Sequence, residues 1–310
     1  MVTLRVAQLE AVFTALEPLR LPPFIGSTLR GAFGHALKSA VCVMRARECH
    51  SCQLSRGCLY TRIFETDPEG ADLRHLGVTD NAPRPYVFAP GMGTPEILQP
   101  GDTLSLTMRL FGWAVDYSSY VMYALSLLAE RGLGAARGRL QLTRVIDGTT
   151  GLAAYDCEDG DVYEPIKFVR LPVPIPAAGQ GDVTVLWQTP LRVVNSHQLV
   201  QEPTAPVVMR TLLRRISGLL TYHEKATLPY NAQEVLAATD RVAMKRNSTN
   251  WYDWKRYSNR QNRAVEMGGI LGKTTYEDTE GVLRPWLTLA ETIHLGKSCT
   301  FGLGAVRIVA

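Results

Sequence analysis

His294-Leu295-Gly296-Lys297-Ser298-Cys299-Thr300-Phe301-Gly302-Leu303-Gly304 is a stretch that joins an apolar, helix-like run to a final strand at 305–309. Its glycines permit positive φ angles and close approaches of the backbone. Backbone N–H groups beside a lysine are suited to phosphate. A weaker version lies mid-chain, where a helix-like run ends in Gly132-Leu133-Gly134 and a strand begins at Leu140. Helix, glycine loop and strand thus occur twice, which indicates a duplicated unit.

The elements around the two glycine loops follow the same order in each half of the chain. In the first half, periodicity predicts strands at 2–16, 85–90, 104–110 and 140–146 and helices at 27–40 and 117–131. In the second half, it predicts strands at 183–194, 241–254, 265–276 and 305–309 and helices at 205–222 and 283–293. The order β-α-β-β-α-β is ferredoxin-like. We therefore expect an α+β protein with two tandem ferredoxin-like domains, at 1–150 and 183–310, joined by a linker with extra strands at 151–182.

Composition allows two domains with real cores, since the chain has 310 residues and 46% hydrophobic content. The net charge is only +4, but residues 205–273 hold 12 lysines and arginines against 5 acidic residues. Such a segment is typical of a polyanion-binding surface, and equally of a solvated helix face. No apolar run is long enough to cross a bilayer, and the first residues do not resemble a signal peptide. These features favour a cytoplasmic protein without membrane contact.

Four of the six cysteines lie close together, at Cys42, Cys49, Cys52 and Cys58. In a reducing cytoplasm, this spacing favours metal ligation over disulfides. Four thiolates suit tetrahedral zinc, and His50 is an alternative ligand. A [4Fe–4S] cluster uses the same ligands and stays open as the second choice. We expect structural zinc in an insert of the first domain, because four thiolates leave no open coordination position.

The first helix separates an apolar face from a polar one. Its apolar face carries Leu29, Phe33, Ala36, Leu37 and Ala40. The opposite face carries Thr28, Gly31, His35, Lys38 and Cys42. His35 therefore lies away from the predicted core. A surface histidine usually has no specific function, but Gly31 one turn away leaves room for an approaching chain.

Several motifs together resemble the CRISPR-associated RAMP superfamily, and within it the precursor-crRNA processing endoribonucleases of the Cas-six family. They are Pro23-Phe24, Leu29-Arg30-Gly31-Ala32-Phe33-Gly34, Leu110-Phe111-Gly112, Gly132-Leu133-Gly134, Trp251-Tyr252-Asp253-Trp254-Lys255-Arg256-Tyr257-Ser258, Gly268-Gly269-Ile270-Leu271-Gly272 and the terminal loop. The resemblance spans nearly the whole chain. It implies two ferredoxin-like domains and metal-independent cleavage of CRISPR repeat RNA, often with the product retained. The four-cysteine insert is not required by that chemistry.

The implied reaction needs few groups. The 2′-hydroxyl of the RNA attacks the adjacent phosphorus, giving a 2′,3′-cyclic phosphate and a 5′-hydroxyl. A base, an acid and a cation assist, and histidine suits the proton transfers near neutral pH. His35 matches the family's histidine on or just after the first helix, and Lys38 could supply the cation. His197 and His223 are the reserve candidates for the base.

Candidate RNA-binding residues combine aromatic rings for stacking with cations for phosphate. We predict contacts from Arg30, Arg210, Arg214, Trp254, Lys255, Arg256, Tyr257, Arg260, Arg263, His294, Lys297, Gly302 and Gly304. His294 could instead anchor the loop. The aromatic residues of the 251–258 block could equally pack in the core of a strand pair.

Two rival functions stay open. One is a non-catalytic RAMP subunit that caps a crRNA end inside an effector complex. The other is a metal-cluster protein with a redox or sensory role. The expected partners are CRISPR repeat RNA or crRNA, together with other Cas proteins.

Overall fold

The chain divides into two units in a computed structural model that describes residues 1–44, 48–65, 82–160, 162–174, 180–195, 198–258 and 263–309. The N-terminal unit comprises Leu4–Arg170 and Gly218–Lys225. The C-terminal unit comprises Met1–Thr3, Leu171–Ser217 and Ala226–Ala310. The main division at Leu171 falls inside the stretch 151–182 that we assigned to a linker.

The N-terminal unit is built on one antiparallel sheet. Its strands are β1 (Thr3–Ala15), β2 (Leu19–Arg20), β3 (Tyr86–Ala89), β4 (Ile97–Leu98), β5 (Thr103–Phe111), β6 (Leu140–Asp147), β7 (Ala153–Asp156) and β8 (Phe168–Pro172), and its helices are α1 (Gly26–Val41) and α2 (Ser118–Arg131). The main sheet has the order β3-β5-β1-β6-β7, with β8 also paired to β1 and β2 paired separately to β4. The core elements β1-α1-β3-β5-α2-β6 follow the expected β-α-β-β-α-β order.

Helices α1 and α2 lie side by side and bury their apolar faces on the sheet. The ring of Phe33, which is fully buried in α1, packs edge-on against Tyr86 and Phe88 of β3, with centroids 5.5 and 5.4 Å away. Such contacts stabilise a helix on a sheet beyond simple burial. Helix α1 begins at Gly26, and its N-cap residue Ile25 provides no side-chain capping hydrogen bond.

The C-terminal unit repeats this plan. Its strands are β9 (Gly181–Leu191), β10 (Val194–Asn195), β11 (Gln198–Leu199), β12 (Ala243–Tyr252), β13 (Lys255–Ser258), β14 (Arg263–Glu266), β15 (Gly269–Asp278) and β16 (Val306–Ile308), and its helices are α3 (Ala205–His223), α4 (Ala232–Thr239) and α5 (Arg284–Ile293). The main sheet is antiparallel with the order β12-β15-β9-β16. The last turn of α3 belongs to the N-terminal unit. A two-stranded hairpin, β13-β14, interrupts the predicted strand pair.

Asp278 fixes the start of α5 in the C-terminal unit. Its carboxylate is 1% exposed and accepts backbone N–H bonds from Val282 (2.7 Å), Leu283 (2.8 Å) and Arg284 (3.2 Å). These amides include donors that a helix N-terminus leaves without intrahelical partners. The aspartate therefore links the end of β15 to the first turn of α5.

Among the described residues, we find no helix whose length and hydropathy would let it cross a membrane.

Candidate functional site

A groove of about 430 Å³ runs between α1 and α2 in the N-terminal unit. Its walls are formed by His35, Lys38, Ser39, Cys42, Tyr123, Leu127 and Arg131. The groove thus joins the two predicted catalytic residues of α1 to a phenol and a guanidinium from α2. Arg131 also donates an Nη1 hydrogen bond of 3.3 Å to the backbone oxygen of His35, which ties the two walls together. No carboxylate lines it among the described residues.

The packing of α1 explains why His35 faces solvent. Phe33 points into the core, whereas His35 lies two residues further on and is exposed. Between them, Gly34 leaves space that the ring of Phe64 occupies, and a Cβ at Gly34 would come within 2.3 Å of that ring. The guanidinium of Arg30 lies over the ring of Phe64, 4.3 Å from its centroid. Arg30, a predicted RNA contact, is therefore part of this packing.

Lys38 has protein partners as well as a place in the groove. Its Nζ lies 5.5 Å from the ring centroid of Tyr60. Burial raises the pKa of the Cys49 thiol, the Glu65 carboxylate raises it further, and the Lys38 ammonium partly offsets both. Burial, with a contribution from Glu65, also raises the pKa of Tyr60 to about 12. Lys38 thus connects the groove with the cysteine segment.

The predicted metal site is not assembled in the structure. Cys42, Cys49, Cys52 and Cys58 are half-buried free thiols. Across the described residues, no three His, Cys, Asp or Glu side chains stand close enough to hold a metal ion. Cys42 lines the groove, whereas Cys49 and Cys58 pack against the core of the N-terminal unit. Zinc binding therefore stays a prediction, which would require the segment to close around the ion.

His223, a reserve candidate for the base, has a structural role in this conformation. It is 3% exposed, and its Nδ1 accepts a hydrogen bond of 3.1 Å from Trp113 Nε1. The remaining ring nitrogen, Nε2, lies 2.6 Å from the carbonyl oxygen of Pro83. Since Nδ1 is an acceptor, Nε2 carries the proton and donates it to Pro83. Gly112 permits the contact, because a Cβ there would lie 2.4 Å from the His223 oxygen.

The terminal glycine loop, residues 294–304, is a packed turn whose amides largely bond within the protein. Leu295 N–H donates to Gly304 oxygen (3.0 Å), and Gly302 N–H donates to Cys299 oxygen (2.8 Å). Lys297 N–H donates to Arg192 oxygen (2.7 Å). Those amides are not available to phosphate, contrary to the expectation of an open cradle.

Side chains in the loop divide between buried and exposed positions. Gly302 and Gly304 are buried, and His294 is 1% exposed, so the imidazole cannot reach a phosphate in this conformation. Its anchoring role, the other option, agrees with this burial. The side chain of Lys297, in contrast, is exposed.

The aromatic and basic block lies next to this loop in the C-terminal unit. The guanidinium of Arg256, on β13, lies 5.0 Å from the ring centroid of Phe301. Trp254 is half-buried, so it suits the packing alternative better than a fully open stacking surface. Lys255 is exposed, with Glu266 opposite at 3.6 Å.

The remaining predicted RNA contacts are distributed over the C-terminal unit. Arg210 and Arg214 are exposed one turn apart on α3. Tyr257 and Arg263 belong to the β13-β14 hairpin, where only their backbone is described. Arg260 and the reserve base His197 lie outside the described residues.

Sequence reasoning missed the α2 wall of the groove, namely Tyr123 and Arg131. Both lie on the predicted second helix, and Leu127 stands midway between them at four-residue spacing. That spacing places the three on one face. The sequence could therefore have predicted that these three residues share a face of α2. Only the packing of α1 against α2 shows that this face meets His35.

Two family models match the chain. Residues 4–165, just over half of the chain, match the model described as the AF_1859_N N-terminal domain. Residues 185–306 match the model for the CRISPR-associated endoribonuclease Cas6. An uncharacterised protein of Archaeoglobus fulgidus is 26% identical over 297 residues, which cover 93% of this chain and 92% of the relative.

Solved structures show the same fold. A Cas6 product complex aligns with a TM-score of 0.57 at 16% identity, covering 98% of this chain and 100% of the other. Thermus thermophilus Cas6 aligns with a TM-score of 0.55 at 14% identity, covering both chains completely. A partial Cas6-RT-Cas1–Cas2 complex aligns with a TM-score of 0.59 at 11% identity, covering 99% of this chain and 46% of the other. The chain therefore belongs to the family of the AF_1859_N model, whose N-terminal domain it carries at residues 4–165, and its residues 185–306 match the CRISPR-associated endoribonuclease Cas6 model.

Proposed function

We propose that this protein is an endoribonuclease that cleaves the repeats of precursor CRISPR RNA. The observation that carries the proposal is the groove in which an exposed histidine, His35, stands with Lys38 and Arg131. A group that can transfer protons and groups that can stabilise phosphate charge thus lie together in one groove of the N-terminal unit. The match of residues 185–306 to the Cas6 endoribonuclease model supports the substrate class.

Each residue has a chemical task in the proposed reaction. His35 takes the proton of the 2′-hydroxyl or returns one to the leaving 5′-oxygen, which imidazole can do near neutral pH. Attack of the 2′-oxygen on phosphorus breaks the bond to the 5′-oxygen and leaves a 2′,3′-cyclic phosphate. Arg131 and Lys38 stabilise the charge that develops on the phosphoryl oxygens. Since the nucleophile is the substrate's own hydroxyl, we propose that cleavage needs no metal ion.

We propose CRISPR repeat RNA and other Cas proteins as partners, with the cleaved product retained. Solved structures of relatives are described as a Cas6 product complex and as a Cas6-RT-Cas1–Cas2 complex, which supports both parts of this proposal.

The test is cleavage of the cognate repeat RNA by purified protein in EDTA, with analysis of the product ends. We expect 2′,3′-cyclic phosphate and 5′-hydroxyl ends, and no cleavage of RNA that is 2′-deoxy at the attacking ribose. His35→Ala should slow cleavage by about 100-fold or more, as losing a general acid or base does. Gln141→Ala is the control, because that neutral polar side chain is exposed on β6 and lies outside the groove. Unchanged cleavage by His35→Ala, or cleavage of the deoxy substrate, would exclude this mechanism.

A further inference from the structure

Helix α2 carries exposed tyrosines at the groove, and the proposed cleavage reaction gives these tyrosines no role. Tyr120 is 50% exposed and Tyr123 is 43% exposed, although large aromatic side chains are normally well buried. Positions 120, 123, 127 and 131 are spaced by three, four and four residues, so they share one face of the helix. On this face, Leu127 and Arg131 line the groove together with Tyr123.

The surroundings hold the tyrosine rings in place. Tyr123 packs edge-on against Tyr163, with centroids 6.0 Å apart, and Tyr163 stacks on Tyr155 at 4.7 Å. Ser119 Oγ donates a hydrogen bond of 2.9 Å to the backbone oxygen of Tyr163, which links Tyr163 to α2. Tyr120 has Tyr117 beside it, with centroids 6.3 Å apart. Rings that are already oriented lose little conformational freedom when a ligand stacks on them.

The local charge selects the kind of ligand. The groove next to Tyr123 contains two cations, Lys38 and Arg131, and no carboxylate among its described lining residues. At the other end of the tyrosine face, the carboxylate of Asp116 is paired with Arg5 at 3.1 Å. Exposed aromatic rings that lead into a positively charged groove are the pattern by which proteins bind single-stranded nucleic acid. A protein partner would find aromatic rings as well, but the adjoining cations Lys38 and Arg131 favour a polyanion.

We propose that Tyr120 and Tyr123 form a stacking platform for unpaired RNA bases that flank the scissile phosphate. This proposal rests on the proposed function and assigns the substrate's position at the same groove. With the phosphate held at Arg131 and His35, a neighbouring base reaches the ring of Tyr123, and the next one reaches Tyr120. The platform would align the ribose for in-line attack, because stacking fixes the bases on one side of the bond that breaks.

The first experiment measures binding of a repeat RNA that is 2′-deoxy at the cleavage site and therefore stays intact. Tyr120→Ala and Tyr123→Ala should each raise Kd by about 5- to 150-fold, the range found for removing one stacking ring. Tyr120→Phe and Tyr123→Phe keep the ring and should bind within about threefold of the parent. Tyr230→Ala is the control, because Tyr230 is also 50% exposed but lies on the C-terminal unit. Circular dichroism verifies that each variant is folded.

The second experiment identifies the base. RNAs carrying one abasic nucleotide at successive positions around the cleavage site are bound to the parent and to each alanine variant. At the position that a tyrosine stacks on, the abasic change should weaken the parent about as much as the alanine change does. The two changes together should then cost no more than one alone, since groups in contact are not additive. A merely structural tyrosine would show no such position.

The outcomes separate this proposal from the one on which it rests. If the parent neither binds nor cleaves repeat RNA, the proposed function fails. If the parent cleaves while both alanine variants bind like it, the platform is wrong. Additive losses at every abasic position would also overturn it. Normal RNA binding together with loss of a Cas protein partner would show that the tyrosine face is a protein interface instead.

Discussion

Gly304 carries the strongest local constraint in the terminal loop. Its φ is +69°, and a Cβ there would lie 1.7 Å from the Leu295 oxygen, inside any allowed contact. We expect Gly304→Ala to lower the free energy of unfolding by more than about 2 kcal/mol, because both the angle and the space exclude a side chain. Gly31→Ala is the control, since nothing lies within 4 Å of a Cβ there and Gly31 is inside α1. That change should be neutral or stabilising by up to about 1 kcal/mol.

Denaturant unfolding of both variants checks this prediction. A Gly304→Ala protein as stable as the parent would show that the loop can open. In that case, its amides would again be candidates for phosphate binding, as the sequence had suggested.

Asp278 gives a second prediction at the residue scale. We expect Asp278→Ala to lower the free energy of unfolding by about 2–4 kcal/mol, because it leaves buried backbone donors without their charged acceptor. Asp278→Asn retains one acceptor oxygen and should cost less. Asp159→Ala, at an exposed turn, should change stability by no more than about 0.5 kcal/mol. Equal thermal unfolding of all three variants would contradict the role assigned to Asp278.

At the scale of elements, the cysteine segment between α1 and β3 needs a direct test. We propose that it binds about one zinc ion per chain through four thiolates, the usual structural arrangement. Because burial raises the pKa of Cys49, zinc binding there must displace a proton, and the release should be measurable on titration. Cys52→Ser should lower the zinc content and the melting temperature, while the folded fraction still cleaves RNA.

Metal analysis of the purified protein decides this point. Cys157→Ser is the matched control, because Cys157 is a half-buried free cysteine outside the segment. If protein purified without chelators contains far less than one zinc ion per chain, the proposed zinc site is wrong. If the protein instead contains iron and absorbs visible light, the four cysteines bind an iron–sulfur cluster and not zinc.

At the scale of the molecule, local periodicity was enough to predict the element order. The helix predicted at 117–131 is observed as Ser118–Arg131, and the strand predicted at 140–146 is observed as Leu140–Asp147. Both patterns depend only on neighbouring residues. The β13-β14 hairpin was not predicted, because its aromatic and basic residues carry no clean alternation. The groove wall at Arg131 was missed because it depends on how α2 packs against α1, which periodicity does not encode.

Two predictions from the sequence differ from the structure because of buried hydrogen bonds. Glycines and a lysine suggested an open phosphate cradle at 294–304, yet carbonyls of the loop itself and of Pro190 and Arg192 accept hydrogen bonds from five of its amides. His223 looked like a reserve base, but Trp113 and Pro83 engage both of its ring nitrogens. The partners of His223, like the carbonyls of Pro190 and Arg192 that the loop contacts, are more than 100 residues away in the chain and leave no local signal.

The final prediction concerns the basic surface of the C-terminal unit. Arg210 and Arg214 are exposed on α3, and we expect each to contact a phosphate of the bound RNA. Each contact releases counterions, so the slope of log K against log salt should become shallower by about 0.7 to 0.9 for every arginine removed. Arg210→Ala and Arg214→Ala should therefore weaken binding of all RNA sequences to a similar extent.

Arg241 provides the matched control for this surface. It is 61% exposed, but its guanidinium donates two hydrogen bonds to Glu280, of 2.9 and 2.7 Å. Because that carboxylate already neutralises it, Arg241→Ala should alter the salt slope much less than Arg210→Ala. The affinity of the Arg210→Ala and Arg241→Ala variants for repeat RNA, measured at several salt concentrations, tests this prediction. Equal slopes for the parent and Arg210→Ala would place the RNA away from α3, and a large change for Arg241→Ala would mean that RNA displaces Glu280 from its partner.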